Sequence, residues 1–322
     1  MKQVTFLIAD GVLKPSCLFS AIEVFEKAND FHLMKSDRPR YRIQIAGTSL
    51  EQPVLNGIFS LKVAQLNDVD KAGIIILPSF DEPNDFAISK SREMLDWVVK
   101  QYHGGAEVAS LCTGTFLLAA TGLLDGKTCA THWKAETYFR LLFPGLDLRT
   151  NKVVTDQQGV YTAGGALSSL NLALYLVEKY SGREAALYCA KVLQIDIDRN
   201  SQSPFIIFDG LKTHKDDTIR TIQEFIEQHT GDRLTVHQLA ARCAMDRINF
   251  SRRFKKATQL SPADYIQQIK VEAAKRQLES TRKNISEVMY EVGYADVKAF
   301  RNIFKKVAGI TPMEYKAKFN QI

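Results

Sequence analysis

The last third of this 322-residue chain repeats itself at a spacing of fifty residues. Asp246 falls on Asp296, Phe250 on Phe300, Phe254 on Phe304, and Lys255-Lys256 on Lys305-Lys306. The same register carries Ser261-Pro262 onto Thr311-Pro312 and Tyr265 onto Tyr315. Agreement at so many turn, anchor and charge positions implies a duplicated supersecondary unit, which limits what this region can fold into.

Each copy reads as a helix-turn-helix, at about 235–256 and 285–306. In the first copy Thr235 and Gln238 have capping-box spacing and open a helix with Val236, Leu239 and Ala240 inward. A turn at Ala244-Met245 follows, Asp246 caps the next helix, and Phe250 and Phe254, four apart, anchor it on one face. The second copy uses Asn284 and Glu287, then Gly293 as turn, Asp296 as cap, and Phe300 with Phe304 as anchor. Ser261-Pro262 and Thr311-Pro312 start further helices with Pro at the first helical position. A helix from Pro262 to about Glu279 would join the copies rigidly.

With the Phe pairs inward, Arg247, Ile248, Ser251, Arg252 and Lys255 take the free face of the first anchored helix. Val297, Lys298, Arg301, Asn302 and Lys305 take that of the second. Arg pairs with guanine, Asn with adenine, and Val or Ile touches a thymine methyl, while Lys mostly holds phosphate. Two such helices would enter successive major grooves about 34 Å apart. Charge agrees: residues 216–322 carry 19 Lys and Arg against 13 Asp and Glu, so the whole net charge of +6 lies there. The alternative is a helical bundle with a merely solvated basic face. Beyond the residues themselves, Asp217–Phe319 resembles the DNA-binding domain of the AraC/XylS family of transcription regulators. The resemblance is carried by Ile285-Ser-Glu-Val-Met-Tyr-Glu-Val-Gly-Tyr294 and Phe304-Lys-Lys-Val-Ala-Gly-Ile-Thr-Pro-Met-Glu-Tyr315. It implies seven helices and two helix-turn-helix units. Base-reading positions would fall on Arg247, Ile248, Ser251 and Arg252, then Val297, Lys298, Arg301 and Asn302.

The first two-thirds alternates strand and helix signals. Val4–Ala9, Tyr41–Ala46, Gly73–Leu77, Glu107–Leu111 and Gly159–Thr162 read as strands, and Ser20–Asn29, Arg92–Tyr102, Thr113–Thr121, Ser168–Tyr180 and Arg183–Leu193 as helices. That rhythm predicts a doubly wound α/β domain over 1–195, a linker over 196–215, and an all-α domain over 216–322. A ligand crevice belongs beyond the carboxyl ends of the strands.

Ser110-Leu-Cys-Thr-Gly114, between a strand and a helix, has the form of a nucleophile elbow, whose helix N-terminus would lower the Cys112 thiol pKa. A buried small hydrophobe is the other reading. Crevice residues are expected to be Cys112, Thr113, His132, Gly164, Gly165 and Ala166, with Ser79 and Cys17 at the edge. Hydrolysis needs a base, an acid and an oxyanion hole. Thr113 cannot serve as base, His132 is as well suited to packing as to catalysis, and no acid stands beside the elbow, so no catalytic residue is assigned. Cys17 and Cys112 either form a redox pair across the crevice or are two unrelated small residues. The five scattered cysteines suit neither a disulfide framework nor a metal site.

Residues from Val4 to about Gln194 resemble the flavodoxin-like ThiJ/PfpI, class I glutamine amidotransferase-like fold, in the version that GlxA-like regulators fuse to AraC-type domains. The matching stretches are Ile22-Glu-Val-Phe25, Cys112-Thr-Gly114, Gly122-Leu-Leu-Asp-Gly126, Thr131-His-Trp133, Thr162-Ala-Gly-Gly165 and Leu172-Ala-Leu-Tyr-Leu176. Peptidase and amidase members usually carry His where this chain has Thr113. Regulator relatives usually carry Leu-Asp at Ser16-Cys17, Gly-Gly at Ser79-Phe80 and Asp at Asn171. The expectation is therefore a transcription regulator without cofactor that binds promoter DNA, as a homodimer, and contacts RNA polymerase if it activates. Its first domain would sense a small-molecule effector or dimerise. A cysteine-dependent amidase or hydrolase with an accessory DNA-binding domain is the rival reading. No stretch suits a membrane span or a cleavable signal, so a cytoplasmic location is expected.

Overall fold

Ile74–Leu77, an uninterrupted apolar run, lies in the middle of a seven-stranded sheet with all four side chains buried. Continuous apolarity is what a strand covered on both faces requires. The computed structural model describes residues 1–9, 13–69, 71–81, 85–165, 167–197 and 201–320, with backbone alone at 85–87. The chain divides into two units, Met1–Gln202 and Ser203–Ile322.

The first unit opens with β1 (Lys2–Ile8), α1 (Pro15–Ser36), β2 (Tyr41–Gly47), a hairpin of β3 (Glu51–Val54) and β4 (Phe59–Lys62), β5 (Ala64–Gln65) and β6 (Ile74–Leu77). It continues through α2 (Asp85–Lys90), α3 (Arg92–His103), β7 (Glu107–Leu111), α4 (Thr115–Ala120), β8 (Thr128–Cys129) and α5 (Glu136–Leu142). Then come β9 (Asp147–Leu148), β10 (Val154–Gln157), β11 (Val160–Ala163), α6 (Ser168–Ser181) and α7 (Arg183–Val192).

The sheet order is β10-β11-β7-β6-β1-β2-β5, parallel throughout except for the antiparallel β10–β11 pair. From β1 the chain steps outward to β2, then returns to place β6 on the other side of β1. That reversal is the topological switch point of a doubly wound, flavodoxin-like fold. Strand periodicity divides the core: Val4, Phe6 and Ile8 of β1 face one apolar cluster with α1, α6 and α7. Leu7 and the alternate residues Ile75 and Leu77 of β6 face another with α3, α4 and α5.

Helix α1 extends well beyond the expected Ser20–Asn29. Pro15 at its first helical position fits the missing N–H, and the helix stops only where Asp37 turns left-handed and its N–H bonds the Leu33 carbonyl. The expected Thr113–Thr121 helix is shorter than the sequence suggested. Cys112–Gly114 forms a tight 3-10 turn first, and α4 begins at Thr115. The two-residue strands β5, β8 and β9 are too short for a periodicity to reveal, and the four-residue β3, β4 and β10 mix polar and apolar residues without the apolar run that marks β6.

The second unit is helical among its described residues: α8 (Asp217–Gln228), α9 (Val236–Arg242), α10 (Arg247–Thr258), α11 (Pro262–Ser280), α12 (Ile285–Glu291), α13 (Val297–Ala308) and α14 (Pro312–Phe319). Helices α9–α10 and α12–α13 are the two copies of the repeat. Ile219, Leu239, Phe250, Phe254, Tyr265 and Ile269 form the core of the first half. Val271, Leu278, Val288, Phe300, Phe304 and Tyr315 form that of the second. Helix α11 contributes to both, so one rigid rod carries the two copies. The segment read as a linker over 196–215 is divided. Gln202 hydrogen-bonds inside the first unit, while Phe208, Lys212 and His214 bond inside the second.

Candidate functional site

Both anchored helices begin where the sequence caps them. The Asp246 carboxylate accepts from the N–H groups of Ile248 and Asn249, each at 2.9 Å. Asp296 accepts from Ala299 N–H. Thr235 with Gln238, and Asn284 with Glu287, close full capping boxes at the helices in front. Phe250, Phe254, Phe300 and Phe304 are wholly buried, and each such ring contributes roughly 1.5–3 kcal/mol by leaving water. Their burial fixes which face of α10 and α13 remains outside.

That face carries the residues singled out above. Arg247, Ile248, Arg252 and Lys255 are exposed on α10, and Ser251 is half-buried. Val297, Lys298, Arg301, Asn302 and Lys305 are all exposed on α13. Ile248 is 78% exposed, an apolar side chain held in water at the start of a helix. Arg252 reaches Asn249 Oδ1 at 3.1 Å, a contact on its own helix that leaves the guanidinium at the surface. Neighbouring Arg253 is different: its guanidinium grips Asp216 through Nε at 2.7 Å and Nη2 at 2.9 Å, tying α10 to the start of α8.

The copies are not strict duplicates. Their first helices are offset by 49 residues and their anchored helices by fifty, because Ala295 lengthens the second turn. Ala244 occupies the left-handed position in the first turn, with φ of 52°, and Gly293 in the second, with φ of 73°. Lys270, in the middle of α11, stitches the halves together. Its buried ammonium donates to the carbonyls of Thr230 at 2.7 Å, Asp232 at 2.9 Å and Val292 at 2.8 Å.

In the first unit, the carboxyl ends of β1, β6 and β7 bring four expected residues together. Ser79 Oγ and Thr113 Oγ1 lie 2.7 Å apart. Thr113 also donates to the Phe80 carbonyl at 2.6 Å and accepts from its N–H at 3.1 Å. Cys112 is 1% exposed and left-handed, with φ of 55°, the strained backbone of an elbow. Gly114 permits that turn, since a Cβ there would sit 2.3 Å from the Leu77 carbonyl oxygen. Cys17, in the first turn of α1, is buried and close enough to Cys112 for each thiol to shift the other's titration.

These neighbours tune the thiols. The neighbouring Cys17 thiol brings the Cys112 pKa down to about 7, against its desolvation, with help from Ser79, the Thr113 backbone N–H and the charge of Lys14. Cys112 and burial push the Cys17 thiol up. The turn Cys112–Gly114 stands between β7 and α4, and its Thr113 backbone N–H is among the groups that lower the Cys112 pKa. Lys14 itself pairs with Asp81 at 2.9 Å.

His132 lies elsewhere on the rim. Its Nδ1 accepts from Lys134 N–H at 3.1 Å, and burial with nearby Lys14 and Lys134 pushes it below the ordinary imidazole range. Among the described residues no hydrogen bond joins it to Cys112. Gly164 and Gly165 are filled by Gln202, whose Oε1 accepts from Gly165 N–H at 2.6 Å. Gln202 Nε2 reaches the carbonyls of Thr131, Thr150 and Lys152. Ala166 falls outside the described residues. A cavity of about 360 Å³ lies away from the crevice, lined by Lys152, Asn171, Tyr175, Glu178, Arg183 and Ile197 among others.

Sequence reasoning missed Lys14, Gln202, Lys270 and the Asp216–Arg253 pair. Each acts across a long sequence separation, and none belongs to a motif that would single it out. No helix among the described residues is long and apolar enough to cross a membrane.

Comparison with known proteins agrees with this division. The DJ-1/PfpI family model matches residues 2–179, and a helix-turn-helix domain model matches residues 239–318. The HTH-type transcriptional regulator GbdR of Pseudomonas aeruginosa is 25% identical over 70% of this chain and 62% of its own length, so the match spans less than two-thirds of that relative. The HTH-type transcriptional regulator CdhR of the same species is 24% identical over 92% of this chain and 87% of its own. The crystal structure of a putative transcriptional regulator from Vibrio parahaemolyticus shares the fold of the first unit. It has a TM-score of 0.54 and 23% identity, covering 60% of this chain and 98% of that one. One model spans more than half of the sequence and the other falls on the duplicated helices: the chain belongs to the DJ-1/PfpI family and joins that fold to the AraC/XylS-type helix-turn-helix domain of transcriptional regulators.

Proposed function

We propose that the chain is a sequence-specific transcription regulator that reads promoter DNA with α10 and α13, while its first unit senses a small molecule or dimerises without catalysing a reaction. The observation that carries this reading is the paired presentation of Arg, Lys, Asn and aliphatic side chains on two Phe-anchored helices. Arg252 and Arg301 are the guanine readers, Asn302 suits adenine, and Ile248 and Val297 suit thymine methyls. Lys255 and Lys305 hold phosphate. If the regulator activates, RNA polymerase is a further partner.

In vitro selection of duplexes bound by the full chain tests the reading. The enriched site should contain two half-sites one helical turn apart. Arg252→Ala and Arg301→Ala should each weaken the selected site by roughly 1–3 kcal/mol and relax one base position. Lys255→Ala should weaken selected and random duplexes alike and lower the salt slope by about 1. Equal losses on selected and random DNA for both arginines would contradict the proposed readers.

The elbow cysteine with its lowered pKa favours the second reading, a cysteine hydrolase. Against it, the Thr113 hydroxyl is committed to Ser79 and Phe80, and His132 is turned to Lys134. Turnover of glutamine or a peptide that disappears in Cys112→Ala would establish the hydrolase instead.

A further inference from the structure

We infer that the cavity of about 360 Å³ between α6, α7 and β10 binds a small amphiphilic carboxylate, and that the first unit takes its effector there; the effector role rests on the regulator reading above. The size falls within the roughly 300–1,000 Å³ usual for small-molecule pockets, which join an apolar lining to a few placed polar groups. The floor is apolar: Val153, Leu174 and Ala186 are buried and Leu187 is half-buried. The rim is ionic. Arg183 already has an internal anion, Glu178, at 2.8 Å. Tyr175 donates to Asp156 at 2.6 Å, and Asp156 also pairs with Lys179 at 3.1 Å. Lys152 is exposed, and among the described residues no carboxylate pairs with it. One uncommitted ammonium, lining the same cavity as a guanidinium whose charge is shared with Glu178, suits a single negative charge on an apolar body. A carboxylate meets both cations through charge-assisted hydrogen bonds.

The crevice expected to hold a ligand is packed by the chain itself. Cys17, Ser79, Cys112 and Thr113 are buried, and Gln202 lies against Gly164 and Gly165. The cavity instead borders the chain that leads out of the first unit at Gln202. Ile197 lines it, and Asn171 holds the neighbouring Asp196 carbonyl at 3.0 Å. The Lys152 backbone pairs with Ser201, and its carbonyl accepts from Gln202 Nε2 at 2.9 Å. A carboxylate drawn to the Lys152 ammonium, with its apolar body lodged against Ile197, therefore touches both places where the outgoing chain is held. Differential affinity for one setting of that chain is what lets a ligand change the affinity for DNA.

Titration of the full chain without DNA, followed by saturation-transfer NMR, tests the site. The probes are octanoate and phenylpropanoate, each beside its uncharged amide. Both acids should bind about tenfold more tightly than their amides. Lys152→Gln should remove that advantage and leave the amides unchanged. Glu178→Gln frees Arg183 and should strengthen acid binding by about threefold. Both positions are exposed, so each variant should keep the native circular dichroism. Failure of both acids to bind, equal binding of acid and amide, or an acid preference that survives Lys152→Gln would overturn the site. A bound acid should then change affinity for the selected duplex by about fivefold, and an unchanged affinity would overturn the effector role. A chain that binds the acids but no duplex would contradict the regulator reading while supporting the carboxylate site.

Discussion

Ala244 and Gly293 show what a single residue decides. Both stand in the left-handed turn between the helices of a copy, and only one is suited to it. Alanine there brings its Cβ against the following carbonyl, a cost of roughly 1 kcal/mol that glycine escapes. Ala244→Gly should therefore raise the denaturant midpoint, stabilising the chain by about that amount. Gly293→Ala should lose about 1 kcal/mol from the backbone alone, and more from contact. A Cβ there would lie 2.5 Å from the Gly231 carbonyl oxygen and 2.6 Å from Lys270 Nζ. Chemical denaturation of both variants checks the opposite signs; a loss in Ala244→Gly would contradict the assignment. At this scale the sequence was legible wherever a residue type has one use. The Phe pairs, the Asp caps and Gly293 announce themselves. Lys270 and Gln202 do not, because a lysine or glutamine usually faces solvent and only tertiary contact shows that these two bond buried carbonyls.

At the scale of elements, long periodic segments were legible and short ones were not. Helices α10 to α14 sit where caps and apolar spacing put them, while the β8–β9 pair has too few residues for alternation to register and the hairpin β3–β4 lacks an apolar run, with Pro53 and charged residues inside it. Elements are also tied by pairs that no local pattern contains. Asp216 caps α8 by accepting from Ile219 N–H, and it pairs with Arg253 on α10. The Arg253 guanidinium and the Ile219 N–H hold the Asp216 carboxyl below the usual carboxylate range. A carboxyl depressed in the folded state contributes fully above its unfolded pKa, near 4, and that contribution fades as pH falls through the folded value. Asp216→Asn keeps a capping oxygen but loses the ion pair. It should cost about 1 kcal/mol near neutral pH, and the deficit against wild type should shrink below about pH 4. Unfolding curves of both proteins across that range provide the measurement, and a deficit independent of pH would remove the charge from the explanation.

For the whole molecule, duplication and charge asymmetry made the second unit readable to the level of individual surface residues. The crevice of the first unit was readable only as a set of positions. Its chemistry depends on Lys14, Ser79 and Cys17 converging on Cys112 from separate strand ends, a convergence that the sheet order creates. Helix α11 contributes to both cores and carries α10 and α13, which the proposed function uses on DNA at the same time. Such a device is sensitive to helical phase, since DNA turns once in about 10–10.5 base pairs. The direct measurement is the affinity of the full chain for its selected duplex and for the same duplex with about five base pairs inserted between the half-sites, half of that turn. The account requires the insertion to reduce binding to the level of a single half-site, with a full-turn insertion tested alongside to show whether phase or distance is responsible. Undiminished affinity on the half-turn duplex would contradict it.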